Sequence, residues 1–314
     1  MGDWYEKIYN QEIKERYLTS IDINQYPPRW WERVFEKSYI LEQTKDKDLY
    51  SFTVPEILEF YKFLDVGTLA PLTIYNTNLI KYAQWALNEN LIHDGQNHFD
   101  GLDNELLVTC VNTVKTKQSI LSYDTFIKII RQGIINEQDK FVFFCLFEGI
   151  KGKDYQDIVD MKVSDIDKKN LEVHLSGGRT VTVPQDFIDI AELADKQMVY
   201  YGLTEKTMEI KLIPSDKIYK EKNNSQGKDI NRSVYVTVVR NIANLDDLHD
   251  VVTAKSLRDS GLIYYLNRRA DKLHTTVEEL FYTKPEDIQD IIEKYRFNMD
   301  TRKRWILQYK EFLH

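Results

Sequence analysis

The chain has 314 residues, of which 42% are hydrophobic and 29% are charged, with a formal net charge of −8 and an isoelectric point near 5.4. This length and apolar content suffice for two domains that each bury a core, which excludes general disorder. No apolar run of about 18 residues and no leader-like start occur. We therefore expect a cytoplasmic protein that does not span a membrane.

The first part of the chain predicts a compact helical domain. Prolines and glycines mark helix starts and ends, and apolar side chains recur between them at helical spacing. Helices are predicted over residues 30–39, 54–64, 71–87 and 102–114. Residues 115–121 are polar and lightly basic, which predicts a linker. We expect an N-terminal domain over residues 1–116 and a C-terminal domain over residues 122–314.

The second domain begins with apolar helices over residues 126–135 and 139–147, the latter hydrophobic on nearly all sides and so buried centrally. The apolar period then changes to two over residues 171–183, which predicts a β-hairpin. Helices are predicted over residues 188–201, 233–243, 254–269 and 285–295, and a basic, aromatic segment over 300–313. The predicted fold class is mainly α with a small β-hairpin or sheet.

Four blocks of the second domain follow one another in a definite order. They are Leu146–Lys151 with its continuation to residue 167, the hairpin that closes at Pro184, Lys255-Ser256-Leu257-Arg258, and residues 287–294. This order resembles the tyrosine recombinase (phage integrase) family, and residues 69–85 are similar to its core-binding domain. The resemblance covers about residues 50–312 and implies a two-domain, C-shaped clamp around duplex DNA. Within this family, the sequence is most similar to the master repressors of SPbeta-like Bacillus prophages, which share the integrase fold without integrase chemistry.

The resemblance also implies a reaction that this sequence does not support. In the family a tyrosine attacks the scissile phosphate, two arginines stabilise the transition state, and Lys and His move protons. Here Lys151 stands at the first arginine position, where a point charge cannot form the bidentate fork. Lys255 replaces the histidine and Arg179 is nearest to the lysine position, and neither suits proton transfer at neutral pH. Arg258 is retained as in the family.

The nucleophile is missing at its expected place. By spacing the tyrosine should fall near Lys303, whereas Tyr295 comes too early and Tyr309 too late. Catalytic groups that act as a unit leave almost no turnover once several are lost, so we expect no enzyme. An active recombinase with Tyr309 as a displaced nucleophile remains the alternative.

The cations at these positions can still contact phosphates, which positions a protein on DNA without cleaving it. The second domain is predicted to bring together Lys151, Arg179, Lys255, Arg258, Lys294, Arg296, Arg302, Lys303 and Arg304. On the polar side of the 71–87 helix, the candidates for phosphate or base contact are Thr73, Tyr75, Asn76, Thr77, Asn78 and Lys81. Each taken singly is also explained as a solvated surface residue. The terminal run could instead dock on a core through Trp305, Ile306 and Phe312, or mediate self-association.

The leading hypothesis is a sequence-specific, DNA-binding repressor of phage lytic genes that maintains lysogeny in the nucleoid of a bacterial host. Its partner would be double-stranded operator DNA. Cys110 and Cys145 are expected as reduced core thiols, and no metal site or cofactor is predicted. A net negative charge does not exclude a local basic groove. A protein-interaction module that binds no DNA is the third hypothesis.

Overall fold

The computed structural model describes residues 8–21, 28–202, 208–225, 229–244 and 252–314. The chain divides into two compact units, residues 1–116 and 117–314. Most described residues are helical, and the described strands lie in the second unit. The predicted class, mainly α with a small β-hairpin or sheet, is therefore confirmed. Among the described residues, no helix combines the length and apolarity needed to cross a lipid bilayer.

The first unit is a set of helices around an aromatic core. Its helices are α1 (Gln11–Ser20), α2 (Pro28–Lys45), α3 (Val54–Phe63), α4 (Leu69–Asn88) and α5 (Asn104–Val108), and α6 (Thr113–Ser119) crosses the boundary between the units. In the core, the Tyr17 ring packs on Trp31 and Tyr82 with centroids 4.9 and 4.7 Å away. Large aromatic rings bury much apolar area, so this contact joins α1, α2 and α4.

The first unit also buries a lysine between two carboxylates. Lys14 Nζ lies 2.6 Å from Glu42 Oε1 and 3.8 Å from Asp48 Oδ2. Burial raises the pKa of Glu42 to about 7, and the Lys14 ammonium opposes that shift. The Tyr82 hydroxyl donates to Asp48 over 2.9 Å. Because buried charges require partners, this cluster ties α1 to α2 and α4.

The predicted linker, residues 115–121, contains the boundary between the two units, and helix α6 covers most of its length. The Asn112 side chain accepts from the backbone N–H groups of Val114 and Lys115 over 3.0 and 3.1 Å. These bonds satisfy donors at the start of α6, as side-chain caps do. The Thr116 hydroxyl donates to the Gly67 carbonyl over 2.8 Å. Capping therefore organises a polar helix where apolar periodicity is absent.

The second unit is built around one buried helix. Its helices are α7 (Tyr123–Lys128), α8 (Glu137–Phe147), α9 (Gln156–Val159), α10 (Gln185–Lys196), α11 (Ile230–Ala243), α12 (Ala254–Leu273), α13 (Val277–Tyr282), α14 (Gln289–Tyr295) and α15 (Arg302–Tyr309). Residues 141–147 of α8 are fully buried, and α10, α11 and α12 contact this helix. The predicted central helix is confirmed.

Two small antiparallel sheets complete this unit. Strands β1 (Ile166–Asp167), β2 (Glu172–His174) and β3 (Thr180–Thr182) form the first, in which Val173 pairs with Ile166 and Val181. This sheet contains the predicted hairpin. Strands β4 (Val199–Tyr201) and β5 (Glu209–Lys211) form the second.

The predicted helix over residues 188–201 is wrong at its end, since α10 stops at Lys196 and β4 follows. The Asn136 side chain binds both backbone groups of Tyr201, over 2.8 and 3.0 Å. The Gln197 side chain donates to the Val199 carbonyl over 2.7 Å. Side-chain amides thus bind the backbone of β4 in addition to its pairing with β5, and a local pattern cannot reveal these contacts.

The C-terminal segment packs within its own unit. Trp305, Ile306 and Tyr309 of α15 join a core cluster with residues of α12, α13 and α14. Asn267 of α12 donates to the Phe312 carbonyl over 2.7 Å. The interpretation in which this segment docks on a core therefore describes the fold, whereas self-association through it stays a prediction.

Candidate nucleic-acid interface

Five of the predicted cations lie around one cavity of about 270 Å³ in the second unit. Its lining residues are Gly149, Lys151, Gly152, Arg179, Ala254, Lys255, Arg258, Tyr295 and Arg296. Among them is Arg296, which the sequence placed in the convergent basic run. Five cationic side chains around one opening form a concentrated positive field. That these side chains contact DNA stays a prediction.

Helix α12 presents two of these cations from its first turns. The Thr253 hydroxyl accepts from the Ser256 backbone N–H over 3.1 Å and so caps the helix start. Lys255 and Arg258 follow three residues apart, which places them on the same face. The N-terminal end of a helix carries a partial positive charge that adds to theirs. Arg258 also donates to the Tyr295 carbonyl, which orients its guanidinium.

The loop after α8 supplies Lys151 in a constrained backbone. Gly149 and Gly152 have φ values of 72° and 71°, and a Cβ at Gly152 would lie 2.7 Å from the Asp157 backbone nitrogen. Tyr155 also has a positive φ, of 69°, which is costly for a residue with a side chain. Lys151 Nζ lies 4.8 Å from the centroid of the Tyr155 ring. The loop therefore fixes where Lys151 stands.

Arg179 reaches the cavity from the hairpin and is firmly held. It forms an ion pair with Asp157 over 2.6 Å and donates to the Lys294 carbonyl over 2.8 Å. Burial lowers the pKa of its guanidinium, repulsion from Arg296 adds to this, and Asp157 opposes it. The sequence analysis missed Asp157, because nothing in its spacing links it to residue 179.

Lys294 does not belong to the interface, so its prediction as a DNA contact is wrong. Its ammonium is buried, forms an ion pair with Glu148 and donates to the Thr182 carbonyl over 2.8 Å. Burial lowers the pKa of Lys294, and Glu148 opposes this shift. The Tyr265 hydroxyl donates to the same Glu148 oxygen over 2.8 Å. Lys294 therefore neutralises a carboxylate inside the core.

The basic run of α15 does not line the cavity either, which corrects the predicted convergence of Arg302, Lys303 and Arg304. Arg302 donates to the Met299 carbonyl over 2.9 Å, and its guanidinium lies 5.1 Å from the Tyr282 ring centroid. Lys303 is exposed and Arg304 is half-buried. Because Trp305, Ile306 and Tyr309 are buried, the helix turns its basic side chains away from that core.

In the first unit, the predicted polar face of α4 is only partly correct. Asn76 is 5% exposed, accepts from the Tyr61 hydroxyl over 2.9 Å and donates to the Phe99 carbonyl over 3.3 Å. It is a core residue and not a DNA contact. Tyr75 is half-buried and packs on Trp30 with centroids 5.4 Å apart.

The remaining α4 candidates form an accessible stripe. Thr73, Thr77 and Lys81 are spaced by four residues, and Thr77 and Lys81 are exposed. Thr73 and Asn78 are half-buried and donate to the Leu69 and Ile74 carbonyls of their own helix over 3.2 and 3.0 Å. Their contact with DNA stays a prediction.

Two tyrosines lie close to the cavity, and both direct their hydroxyls into the protein. The Tyr295 hydroxyl donates to the Phe147 carbonyl over 2.5 Å. The Tyr309 hydroxyl donates to Asp259 over 2.7 Å and lies 3.4 Å from Lys255 Nζ. Tyr309 is thus nearer to the cavity than its spacing predicted, yet it is only 1% exposed. Burial and the Asp259 carboxylate raise the pKa of Tyr309, which disfavours the phenolate.

Comparison with known proteins identifies the family to which this chain belongs. Residues 120–314 match the family model of the MrpR C-terminal catalytic domain, and residues 8–88 match that of the MrpR N-terminal core-binding domain. The chain belongs to the MrpR family. The SPbeta prophage-derived uncharacterized protein YopR of Bacillus subtilis (strain 168) is 25% identical over 273 residues, which are 82% of this chain and 81% of YopR. The narrower predicted resemblance is confirmed.

A solved structure with a similar chain is an integrase from mycobacterium phage Brujita, which is 14% identical with a TM-score of 0.34. The alignment covers 95% of this chain and 96% of the integrase. The family models show an MrpR-type protein with a core-binding and a catalytic domain.

Proposed function

We propose that this MrpR-family chain is a sequence-specific DNA-binding repressor of phage lytic genes that maintains lysogeny. The observation that carries the proposal is the cavity where Lys151, Arg179, Lys255 and Arg258 converge while the nearby tyrosine hydroxyls are bonded internally. Such cations neutralise phosphates along the DNA backbone and hold the protein in position. The accessible stripe of α4 is the proposed reader of base edges.

Catalytic inactivity is part of the proposal. Recombination requires a tyrosine oxygen that reaches the phosphorus atom and an acid that protonates the leaving oxygen. Tyr309 is buried against Asp259, and the side chains at the proton-transfer positions are Lys255 and Arg179. A guanidinium is always protonated and so supplies charge rather than a proton, and the Lys255 ammonium is held in an ion pair by Asp259.

A genome-scale map of bound sites in a lysogen tests the function. We expect a small set of sharp sites that overlap lytic promoters, and increased transcription of those genes when the protein is depleted. Binding spread evenly over the genome, or sharp sites without any transcriptional response, would contradict the proposal.

The 3.4 Å distance between Lys255 Nζ and the Tyr309 hydroxyl is what favours the alternative, an active recombinase with a displaced nucleophile. Suicide substrates that trap a phosphotyrosine decide between the two. We expect no covalent, denaturation-resistant adduct with DNA carrying mapped sites. An adduct that disappears in Tyr309→Phe would establish cleavage.

A further inference from the structure

Beside the cavity, Tyr309 and Lys255 share one carboxylate. Asp259 Oδ2 accepts the Tyr309 hydroxyl over 2.7 Å and also forms an ion pair with Lys255 one helical turn earlier. The Asp259 side chain is 3% exposed, whereas that of Lys255 is 57% exposed. One buried anion therefore restrains a cation that lines the cavity.

A second triad of a tyrosine, a carboxylate and a lysine lies inside the same unit. The Tyr265 hydroxyl donates to Glu148 Oε2 over 2.8 Å, and Lys294 forms an ion pair with that oxygen. The Lys294 side chain is 9% exposed, so this triad ends in the core rather than at the cavity. The two triads have the same chemistry and differ in where the ammonium points.

We propose that Tyr309 is a positioning residue that tunes how strongly Asp259 withholds Lys255 from a DNA phosphate. The inference rests on the proposed DNA-binding function and assigns Tyr309 a role other than nucleophile. This role follows from the contacts of Asp259 Oδ2, because the Tyr309 hydroxyl and the Lys255 ammonium share the acceptor capacity of that one carboxylate.

The direction of the effect follows from desolvation. A buried carboxylate that loses a hydrogen-bond donor becomes more costly to leave unpaired. Without the Tyr309 hydroxyl, Asp259 depends more on Lys255, so the ammonium moves less readily to a phosphate. Conversely, a neutral amide at position 259 attracts the ammonium less and frees Lys255. Helix α15, which packs the C-terminal segment on the core, thereby controls through Tyr309 how freely Lys255 can contact a phosphate at the cavity.

The test is the salt dependence of binding to a duplex from the strongest mapped site, measured by fluorescence anisotropy on the full chain. We expect Tyr309→Phe to weaken binding several-fold and to reduce the log–log salt slope by about 0.9, which is one phosphate contact. Lys255→Met should reduce the slope equally, and adding Tyr309→Phe to Lys255→Met should change it no further.

The matched control is Tyr265→Phe, which removes a phenol from the internal triad. It should lower the midpoint of thermal unfolding about as much as Tyr309→Phe does while leaving the salt slope unchanged. Asp259→Asn should strengthen binding several-fold, an increase that general loss of folding cannot produce and that remains measurable if Tyr309→Phe does not fold.

Several results would overturn the inference. They are an unchanged slope in Tyr309→Phe, an equal slope reduction in both phenylalanine variants, weaker binding in Asp259→Asn, or an additive loss in the Lys255→Met background. A flat salt response of the unsubstituted protein would instead remove the proposed function itself and this inference with it. A normal response of the unsubstituted protein with an unaffected Tyr309→Phe would remove the inference alone.

Discussion

The two units differ in how many Lys and Arg residues they contain and in where these side chains lie. Residues 1–116 contain 18 Asp and Glu against 11 Lys and Arg, whereas residues 117–314 contain 32 against 31. Each unit buries a lysine against carboxylate, Lys14 in the first and Lys294 in the second. Among the described residues, the second unit gathers five further cations around one cavity. Net charge therefore says little about binding, and the placement of each cation decides it.

The largest expected effect concerns the buried pair of the second unit. Glu148→Ala leaves the Lys294 ammonium buried without its carboxylate, which should lower the free energy of unfolding by about 3–5 kcal/mol. Urea denaturation measures this loss. Glu148→Gln, which keeps the shape, is the control and should cost less. A loss near zero for Glu148→Ala would mean that Lys294 reaches solvent, and would remove the contrast with Lys255.

Removal of a cavity cation should act mainly on binding, with a smaller loss of stability where Arg258 no longer donates to the Tyr295 carbonyl. We expect Arg258→Ala to weaken binding to all mapped sites by about 1.5–3 kcal/mol, the range for a hydrogen bond to a charged group. Competition gel shifts with mapped and unrelated duplexes measure it. Arg302→Ala, outside the cavity, is the control and should bind normally. A loss confined to one DNA sequence would show that Arg258 reads bases.

The first unit should contribute selectivity. We expect Asn78→Ala to change the preference among mapped sites by about 1 kcal/mol, the low end for a base contact. Selection of bound sequences from a randomised operator measures the shift. Asn76→Ala should instead reduce stability, because its side chain joins Tyr61 to Phe99. An unchanged preference in Asn78→Ala, or a changed one in the correctly folded Asn76→Ala, would place the reading surface elsewhere.

The remaining expected effect is a pH dependence confined to the first unit. Burial raises the pKa of Glu42 to about 7 from 4.5, so the folded state binds the proton more tightly than the unfolded state. Its contribution to stability is complete below about pH 4.5 and is lost as pH rises through 7. Hydrogen exchange of α1 and α2 amides should therefore accelerate over this range beyond the intrinsic chemical rate, and less so in Glu42→Gln. Equal acceleration in both proteins would contradict the assignment.

The sequence predicted those parts of the second unit in which local pattern and tertiary role coincide. The buried helix α8 and the hairpin are of this kind, because the apolar period directly expresses burial. The pair Lys255 and Arg258 was instead predicted from the resemblance to the tyrosine recombinase family. Prediction from the sequence failed where side chains that are distant along the chain determine whether a residue is buried. Lys294 is buried because Glu148 lies beside it. Asn76 is buried because its side chain accepts from the Tyr61 hydroxyl and donates to the Phe99 carbonyl.

The prediction for the position of Tyr309 was wrong for the same reason. Counting along the chain placed it beyond the site, but the packing of α15 on α12 brings its hydroxyl to Asp259. Asp259 itself carried a usable signal, since it lies four residues after Lys255 on one helix face. The carboxylate at Asp157 had no such signal, because its partner Arg179 comes from the hairpin.

The salt dependence of binding by a variant that lacks three cavity cations tests the central claim most directly. Lys151→Met, Lys255→Met and Arg258→Met combined remove charge at a nearly constant length. If these side chains hold the DNA backbone, the log–log slope should become less steep by about 0.9 per lost contact, or about 2.7 in all. A slope equal to that of the unsubstituted protein would show that the DNA is held by another surface.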